Sequence, residues 1–426
     1  MTVNLPKEVS NAVNGVWQVT QRVVHDPRTT GVMRAGPRAA AFLSRSHART
    51  AGAGNDDTIV PVHTTPGLAA QVLLDEVLIA AFRNPRLLPK GDDFANAAAD
   101  ISSALVQFAS QGWLTNPASY HDAPPAPEDV LMEPGRVLGM RYEHVSYPSG
   151  WEPHEDEAGR DRWLAHKANH TSHAWIARSP EPSNTWLVCV HGFGLGANAL
   201  MDMRAFRAKQ LTRSGVNVAI VVLPLHGARS EGKAMGEGFM SIDLVDSLHG
   251  LAQAAWDVRR MIAWLRHAEG AERVGVFGHS LGGSIASLVA GLEDDLACVI
   301  AGVPVVDLPD LYRRHSVPDI ARQAESLGVL GPAGDAVHGV VSPLSMECRV
   351  PHEGRFIFAG LGDRMATFAQ AHRLWLHWDR PRMATYGGGH IGFFWSGVVR
   401  QLVTDALVQT GLASTGPVSQ EALAPL

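Results

Sequence analysis

Cysteine is scarce in this chain. The 426 residues hold three, Cys189, Cys298 and Cys348, set far apart and two of them inside apolar strand-like runs. That excludes a disulfide framework or a cysteine metal set and favours reduced core residues in a cytoplasmic setting. Charge is also thin, at 18% of residues, with 36 basic against 42 acidic side chains, a formal net charge of −6 and no basic run. Nothing there offers a footprint for nucleic acid. The opening Met1-Thr2-Val3-Asn4-Leu5-Pro6-Lys7 lacks the charged start and apolar block of a secretory signal, so export is not indicated. There is no internal repeat of solenoid period. No apolar run is long enough to span a bilayer. The nearest, residues 68–82, is too short and carries Asp75 and Glu76 at its centre, so it is expected to be a buried helix or one lying on a lipid surface or a partner.

What is present is length and alternation. A chain of 426 residues exceeds one ordinary core and predicts one large α/β domain with an appended region. Residues 1–130 show helical spacing broken by turns: a segment around 9–24, a loose Arg/Ala/Gly-rich stretch to 55, the apolar helix at 68–82 and another at 92–111. This helical N-terminal region shows no catalytic constellation and its role is open. The proline-rich, acidic run Pro124-Pro125-Ala126-Pro127-Glu128-Asp129 marks the expected boundary, with the second unit over 131–426. There, strands are predicted at 136–147, 172–178, 186–190, 216–223, 274–277, 297–303, 355–359 and 382–386. Helices are predicted at 203–214, 244–267, 284–292, 367–378 and 397–409. Strands alternating with crossover-length helices mean a mostly parallel, doubly wound sheet whose reacting groups gather at the carboxyl ends of its strands.

One of those strand ends is chemically pointed. The run Val274-Gly275-Val276-Phe277-Gly278-His279-Ser280-Leu281-Gly282-Gly283 places a serine between a short buried strand and a close-packed helix. A serine at so sharp a turn needs near-bare neighbours two before and two after it, and Gly278 and Gly282 meet that need. The turn lifts Oγ clear of the sheet, and the helix that follows aims its first N–H groups at the place where negative charge develops. A dinucleotide-binding turn would instead require Gly-x-Gly-x-x-Gly, which is absent here.

Two further landmarks are Val190-His191-Gly192-Phe193-Gly194 after an earlier strand and Gly387-Gly388-Gly389-His390 after the last one. With the Gly278–Gly282 turn between them, the chain resembles the α/β-hydrolase superfamily, in its serine esterase and lipase-like branch, over residues 136–410. The resemblance implies a Ser…Asp/Glu…His order: Ser280 as nucleophile and His390 as general acid and base, behind three glycines that let its loop fold over the serine. Asp363, after the strand at 355–359, is the favoured orienting acid, with Asp307 as the alternative, whose plainer role is a helix or turn cap. The oxyanion donors implied are the backbone N–H groups of Phe193 and Leu281. His279, next to the serine, is expected to pack beside the sheet. The chain departs from many relatives at Leu223-Pro224-Leu225-His226-Gly227-Ala228-Arg229-Ser230, where His226 and Arg229 either line the pocket or brace the loop.

Other features invite less. His144, His154, His166, His170 and His173 sit in a turn-rich, acidic setting that reads as solvated surface rather than a metal site. The helix-borne tryptophans Trp256, Trp264, Trp375 and Trp378 fit core packing. The glycine-rich loop at 235–240 suggests mobility near the site's mouth. The long segment at 308–352, after the sixth predicted strand, is expected to form a lid or cap that shapes the substrate. The resulting expectation is a serine hydrolase cleaving a small carboxylic ester through an acyl-enzyme, with no organic cofactor and no metal. An amide or peptide hydrolase, an acyltransferase, or a non-catalytic hydrolase-like binding protein remain the alternatives. Oligomeric state and acyl preference have no signature in the sequence.

Overall fold

Apolar runs without polar alternation build the centre of this protein, because a strand covered on both faces has no side that wants water. The computed structural model describes residues 33–52, 60–82, 92–137, 139–232, 236–239, 241 and 243–414. The segment expected around 9–24 lies outside them, as do parts of the loop at 235–240. The strands are β1 (Leu131–Val137), β2 (Met140–Pro148), β3 (Thr171–Ala177), β4 (Thr185–Val190), β5 (Asn217–Val222), β6 (Arg273–His279), β7 (Leu296–Gly302), β8 (Arg355–Gly360) and β9 (Arg382–Tyr386). They form one sheet in the order β1-β2-β3-β5-β4-β6-β7-β8-β9. The first three strands run antiparallel up to β5, and β5 through β9 are parallel to one another.

The described helices, in chain order, are α1 (Ala35–Thr50), α2 (Pro66–Phe82), α3 (Asp93–Ser110), α4 (Arg160–Leu164), α5 (Ala199–Ala205), α6 (Ala208–Arg213), α7 (Leu244–Ala268) and α8 (Leu281–Val289). They continue as α9 (Leu308–His315), α10 (Pro318–Ser326), α11 (Pro332–His338), α12 (Phe368–His377) and α13 (Gly397–Gln409). Successive residues of a strand point to opposite faces, and the two cores follow from it. Val188 and Val190 of β4 join α7 and α8 on one face, whereas Leu187 and Cys189 join α5, α6 and α13 on the other. The doubly wound, mostly parallel sheet is as predicted. Helix α3 belongs to the first of these cores through Phe94, Ala97, Ile101, Ala104 and Phe108.

Three details differ from the sequence reading. The strand predicted at 136–147 is two strands, β1 and β2, joined where Val137 pairs with Met140 and where Gly139 takes φ +74. Only glycine adopts that left-handed value without strain, so it turns the chain back. The sheet thus gains a strand, and the 308–352 insertion falls between the seventh and eighth. That insertion is largely helical: α9, α10 and α11 each carry a proline in the first turn, where its missing N–H costs nothing. Helix α11 packs on α3 and α7. The Arg/Ala/Gly-rich stretch expected to be loose contains helix α1, which buries Ala35, Ala39, Phe42 and Ser46 at helical spacing. Three of those four side chains are small, which is why the stripe is faint in the sequence.

Candidate active site

The turn after β6 has the backbone that its glycines foretold. Ser280 sits at φ 56, ψ −117, outside the regions an L-residue occupies comfortably, and its N–H donates to Gly302 O at 2.8 Å. A Cβ on Gly278 would overlap the carbonyl of Gly282, and one on Gly282 would overlap the carbonyl of Val190. The two positions are bare because backbone passes through the space a side chain would fill.

The serine is met by groups from two later strand ends. His390 Nε2 lies 2.9 Å from Ser280 Oγ, and His390 Nδ1 lies 2.7 Å from Asp363 Oδ2. A carboxylate can only accept, so Nδ1 carries the proton and Nε2 is left to accept from the serine hydroxyl. Asp363 is held in turn by Met365 N–H, which donates to Oδ1 at 2.8 Å. Both His390 and Asp363 are buried. Burial pushes the imidazole pKa down, but the charge of Asp363, its hydrogen bond and the charge of Asp75 outweigh it and hold His390 above the usual 6.5.

The structure also shows where the other sequence candidates go. Asp307 is not at the imidazole: it caps α9 by accepting from Asp310 N–H at 2.8 Å and pairs with Arg373 at 2.7 Å. His279 is buried between the rings of Phe206 and Phe393, each stacked at 4.5 Å, and burial, with the charge of His390, pushes its pKa to about 3. It therefore packs beside the sheet as a neutral ring. An apolar cavity of about 100 Å³ lies against it, lined by Phe277, Phe394, Val403 and Leu407 among others, and reaches neither Ser280 nor His390.

Gly192 runs beside the nucleophile turn, where a Cβ on it would come 3.4 Å from Ser280 Cβ. His191, just before it, is a neutral brace: Nδ1 donates to Gly192 O at 2.8 Å, Nε2 accepts from Leu223 N–H at 3.1 Å, and burial lowers its pKa to about 4. Phe193 and Leu281, the expected backbone donors, thus belong to the two segments that flank the serine. Arg229 is wholly buried, paired with Asp257 at 2.7 Å and donating to Val222 O and Asn169 O, so it braces the loop. His226 is buried against Phe193 and Phe239.

The histidines at 144–173 disperse. His144 and His173 share a hydrogen bond at 3.0 Å, His166 meets Glu231, and His154 and His170 meet the carbonyls of Tyr120 and Leu164. Among the described residues no three metal-ligating side chains converge.

Helix α2, expected as a buried apolar helix, also reaches the site, a part in it that its sequence does not show. Asp75 Oδ2 and Oδ1 accept from His390 N–H at 2.8 and 3.1 Å, Asp75 Oδ2 also accepts from Arg364 N–H at 2.9 Å, and Gln71 Oε1 accepts from Gly389 N–H at 3.0 Å. Glu76 takes the Arg364 side chain at 2.9 Å, and that guanidinium also lies 4.5 Å over the Phe42 ring of α1. The available signal was the pair of adjacent acids in the middle of an apolar helix, read only as an argument against a membrane span. Buried acids need donors, and these find them in the site.

Comparison with known proteins agrees with the fold. The family described as alpha/beta hydrolase domain containing 18 matches residues 164–307, the part that carries β3 through β7 and Ser280. The chain belongs to the α/β-hydrolase superfamily. Within it, the chain is 36% identical over 405 residues to the uncharacterized protein Rv2627c of Mycobacterium tuberculosis (strain ATCC 25618 / H37Rv), covering 95% of this chain and 97% of that protein. The uncharacterized protein MT2702 of strain CDC 1551 / Oshkosh matches over the same shares at the same identity. Solved structures of the superfamily are more distant. Acetyl xylan esterase 1 from Thermoanaerobacterium sp. JW/SL YS485 is 16% identical with a TM-score of 0.44, over 70% of this chain and 98% of that one. The acylaminoacyl peptidase of Pyrococcus horikoshii is 15% identical with a TM-score of 0.41, over 60% and 42%. Likeness at that level says nothing about substrate. No helix among the described residues is long and apolar enough to cross a membrane.

Proposed function

We propose that this α/β-hydrolase is a serine hydrolase that cleaves carboxylic esters through an acyl-enzyme. The observation that carries the reading is the unbroken chain from Ser280 Oγ through His390 to Asp363, with links of 2.9 and 2.7 Å, on a serine held at positive φ. In the first half-reaction His390 Nε2 takes the hydroxyl proton as Oγ bonds to the ester carbonyl carbon. The imidazolium then gives that proton to the departing alkoxide, and the C–O bond of the ester breaks. In the second, water loses a proton to Nε2 and attacks the acyl carbon, and Ser280 leaves with the proton returned. Asp363 keeps the imidazole in the tautomer that makes both transfers productive, and remains ionised throughout.

The oxyanion of each tetrahedral intermediate would be held by the N–H groups of Leu281, at the start of α8, and Phe193, behind Gly192. Donors fixed in the backbone need no reorganisation as charge develops, and each such donor is worth about 10²–10³ in turnover. The helical insertion at 308–352 supplies the lid or cap in this reading. A small ester substrate and a cytoplasmic location remain part of the proposal, as does the division at the proline-rich link.

The test is a panel of p-nitrophenyl esters of graded acyl length beside amino-acid anilides, each run with Ser280→Ala. The proposal expects ester turnover that disappears in the variant. Turnover of anilides in preference to esters reassigns the enzyme to amide chemistry, and ester turnover that survives in Ser280→Ala removes the proposed nucleophile.

A further inference from the structure

Asp75 is a buried acid that the hydrolytic steps above do not use. It is fully buried on a helix whose only other polar side chains are Gln71 and Glu76, with Val72 and Ile79 buried on either side of it. A carboxylate costs stability in such a place unless donors surround it, and here the donors are peptide N–H groups of exactly two loops. His390 lies on the loop after β9, and Arg364 lies next to Asp363 on the loop after β8. Gln71, one turn earlier on α2, holds Gly389. One face of α2 thus grips both loops that approach the serine.

The glycines of the His390 loop fit that grip. A Cβ on Gly389 would come within 2.8 Å of Asp75 Oδ2, and one on Gly388 within 2.5 Å of Gln71 Oε1. A Cβ on Gly392 would collide with Gln71 as well. Two of the three glycines read in the sequence as freedom to fold over the serine, Gly388 and Gly389, are in the structure clearance for the side chains of α2, while Gly387 has open space around it.

We propose that Asp75, with Gln71, is a positioning residue: it locks the acid-bearing and base-bearing loops into register and sets a second negative charge beside the His390 imidazole. This rests on the serine-hydrolase reading. Registration matters because a misplacement of about 1 Å in a catalytic group can cost about 10² in rate. The groups facing Asp75 are Asp363 and the Arg364 N–H from one loop, His390 from the other, and Tyr386 of β9, whose hydroxyl donates to Gly389 O at 3.0 Å. On its own helix Glu76 is turned to the Arg364 guanidinium. Burial, then repulsion from Asp363, raise the Asp75 carboxyl to about 7, against the lowering effect of His390 and the two N–H donors. Its charge, when present, favours the protonated imidazole. Removing that charge makes His390 release its proton more easily, so the pH below which the serine loses its base must fall.

The experiment is the rate of inactivation by a fluorophosphonate, followed from about pH 5 to about pH 9, a probe that needs an activated serine but no known substrate. Asp75→Asn is nearly isosteric and keeps an oxygen for both N–H donors, His390 and Arg364. It is expected to melt cooperatively, to lose on the order of 10-fold or more in plateau rate, and to move its acid limb to lower pH. A wild-type rate and limb overturn the proposal. So does a rate lowered equally at every pH with the limb unmoved, which would leave Asp75 a merely structural group. Gln71→Met, which removes the Gly389 acceptor and keeps chain length, is the second variant should Asp75→Asn not fold. It is expected to lose several-fold in rate, and an unchanged rate overturns the clamp. Ser280→Ala separates the two readings: if it still reacts, the hydrolase reading fails, whereas an inert Ser280→Ala beside a wild-type-like Asp75→Asn fails only this inference.

Discussion

Replacing Asp363 by Asn, and separately Asp307 by Asn, asks which carboxylate orients the base. Asp363 Oδ1 accepts from Met365 N–H at 2.8 Å and Oδ2 from His390 Nδ1 at 2.7 Å, so both oxygens must accept. An asparagine has one accepting oxygen. If it faces Met365, its amide N–H₂ meets Nδ1, and the imidazole answers by carrying its proton on Nε2, where it can no longer take one from Ser280. In a triad with this geometry the wrong tautomer lowers turnover by about 10⁴, equivalent to about 5.5 kcal/mol in the barrier. Asp307 stands differently. Asparagine caps a helix as well as aspartate does, so the bond from Asp310 N–H survives. What is lost is a partly exposed pair with Arg373, worth roughly 0–1 kcal/mol of stability. Turnover of a p-nitrophenyl ester, with thermal unfolding as the control for folding, should rank Asp363→Asn far below Asp307→Asn, which stays near wild type. A larger loss in Asp307→Asn, or a loss below about tenfold in Asp363→Asn, refutes the tautomer argument.

Four other outcomes follow from the geometry. Activity should fall with acidification through a pH above the ordinary imidazole value of 6.5, since His390 is held upward by its carboxylates and works only when neutral; a limb below that value in kcat/KM contradicts the assigned electrostatics. Gly282→Ala, whose Cβ has no room beside Val190 O, should unfold at markedly lower temperature and lose activity together, and wild-type melting would contradict the close approach. Arg229→Met leaves the buried Asp257 carboxyl without its partner, at a cost of about 3–5 kcal/mol read from denaturant midpoints; a change below about 1 kcal/mol shows the pair to be dispensable. A thiol reagent should reach the half-buried Cys348 in the folded protein and Cys189 and Cys298 only after unfolding, and equal reactivity of all three contradicts the core packing.

The parts of this protein legible in its sequence are those where local chemistry and global geometry demand the same residue. Gly278 and Gly282 are bare because backbone occupies their side-chain space, and that steric demand is visible in five letters. The doubly covered strands β4, β5 and β6 read as continuous apolar runs for an equally local reason. Helix α1 was faint because alanine and serine fill most of its buried stripe. The β1–β2 hairpin was hidden because a single glycine, Gly139, divides a run that otherwise alternates like one strand. Asp75 was out of reach for a different reason. Its partners are peptide N–H groups 289 and 315 residues away, and a backbone donor leaves no mark on residue type. The glycines before His390 did leave a mark, yet the meaning of Gly388 and Gly389 depends on which side chains come to fill the space.

The central claim is tested most directly by the intact mass of the folded protein after treatment with a fluorophosphonate, followed by peptide mapping. The account predicts a single adduct, on the peptide that contains Ser280, absent from Ser280→Ala and from protein unfolded beforehand. An unlabelled folded protein, or an adduct that persists in Ser280→Ala, would contradict it.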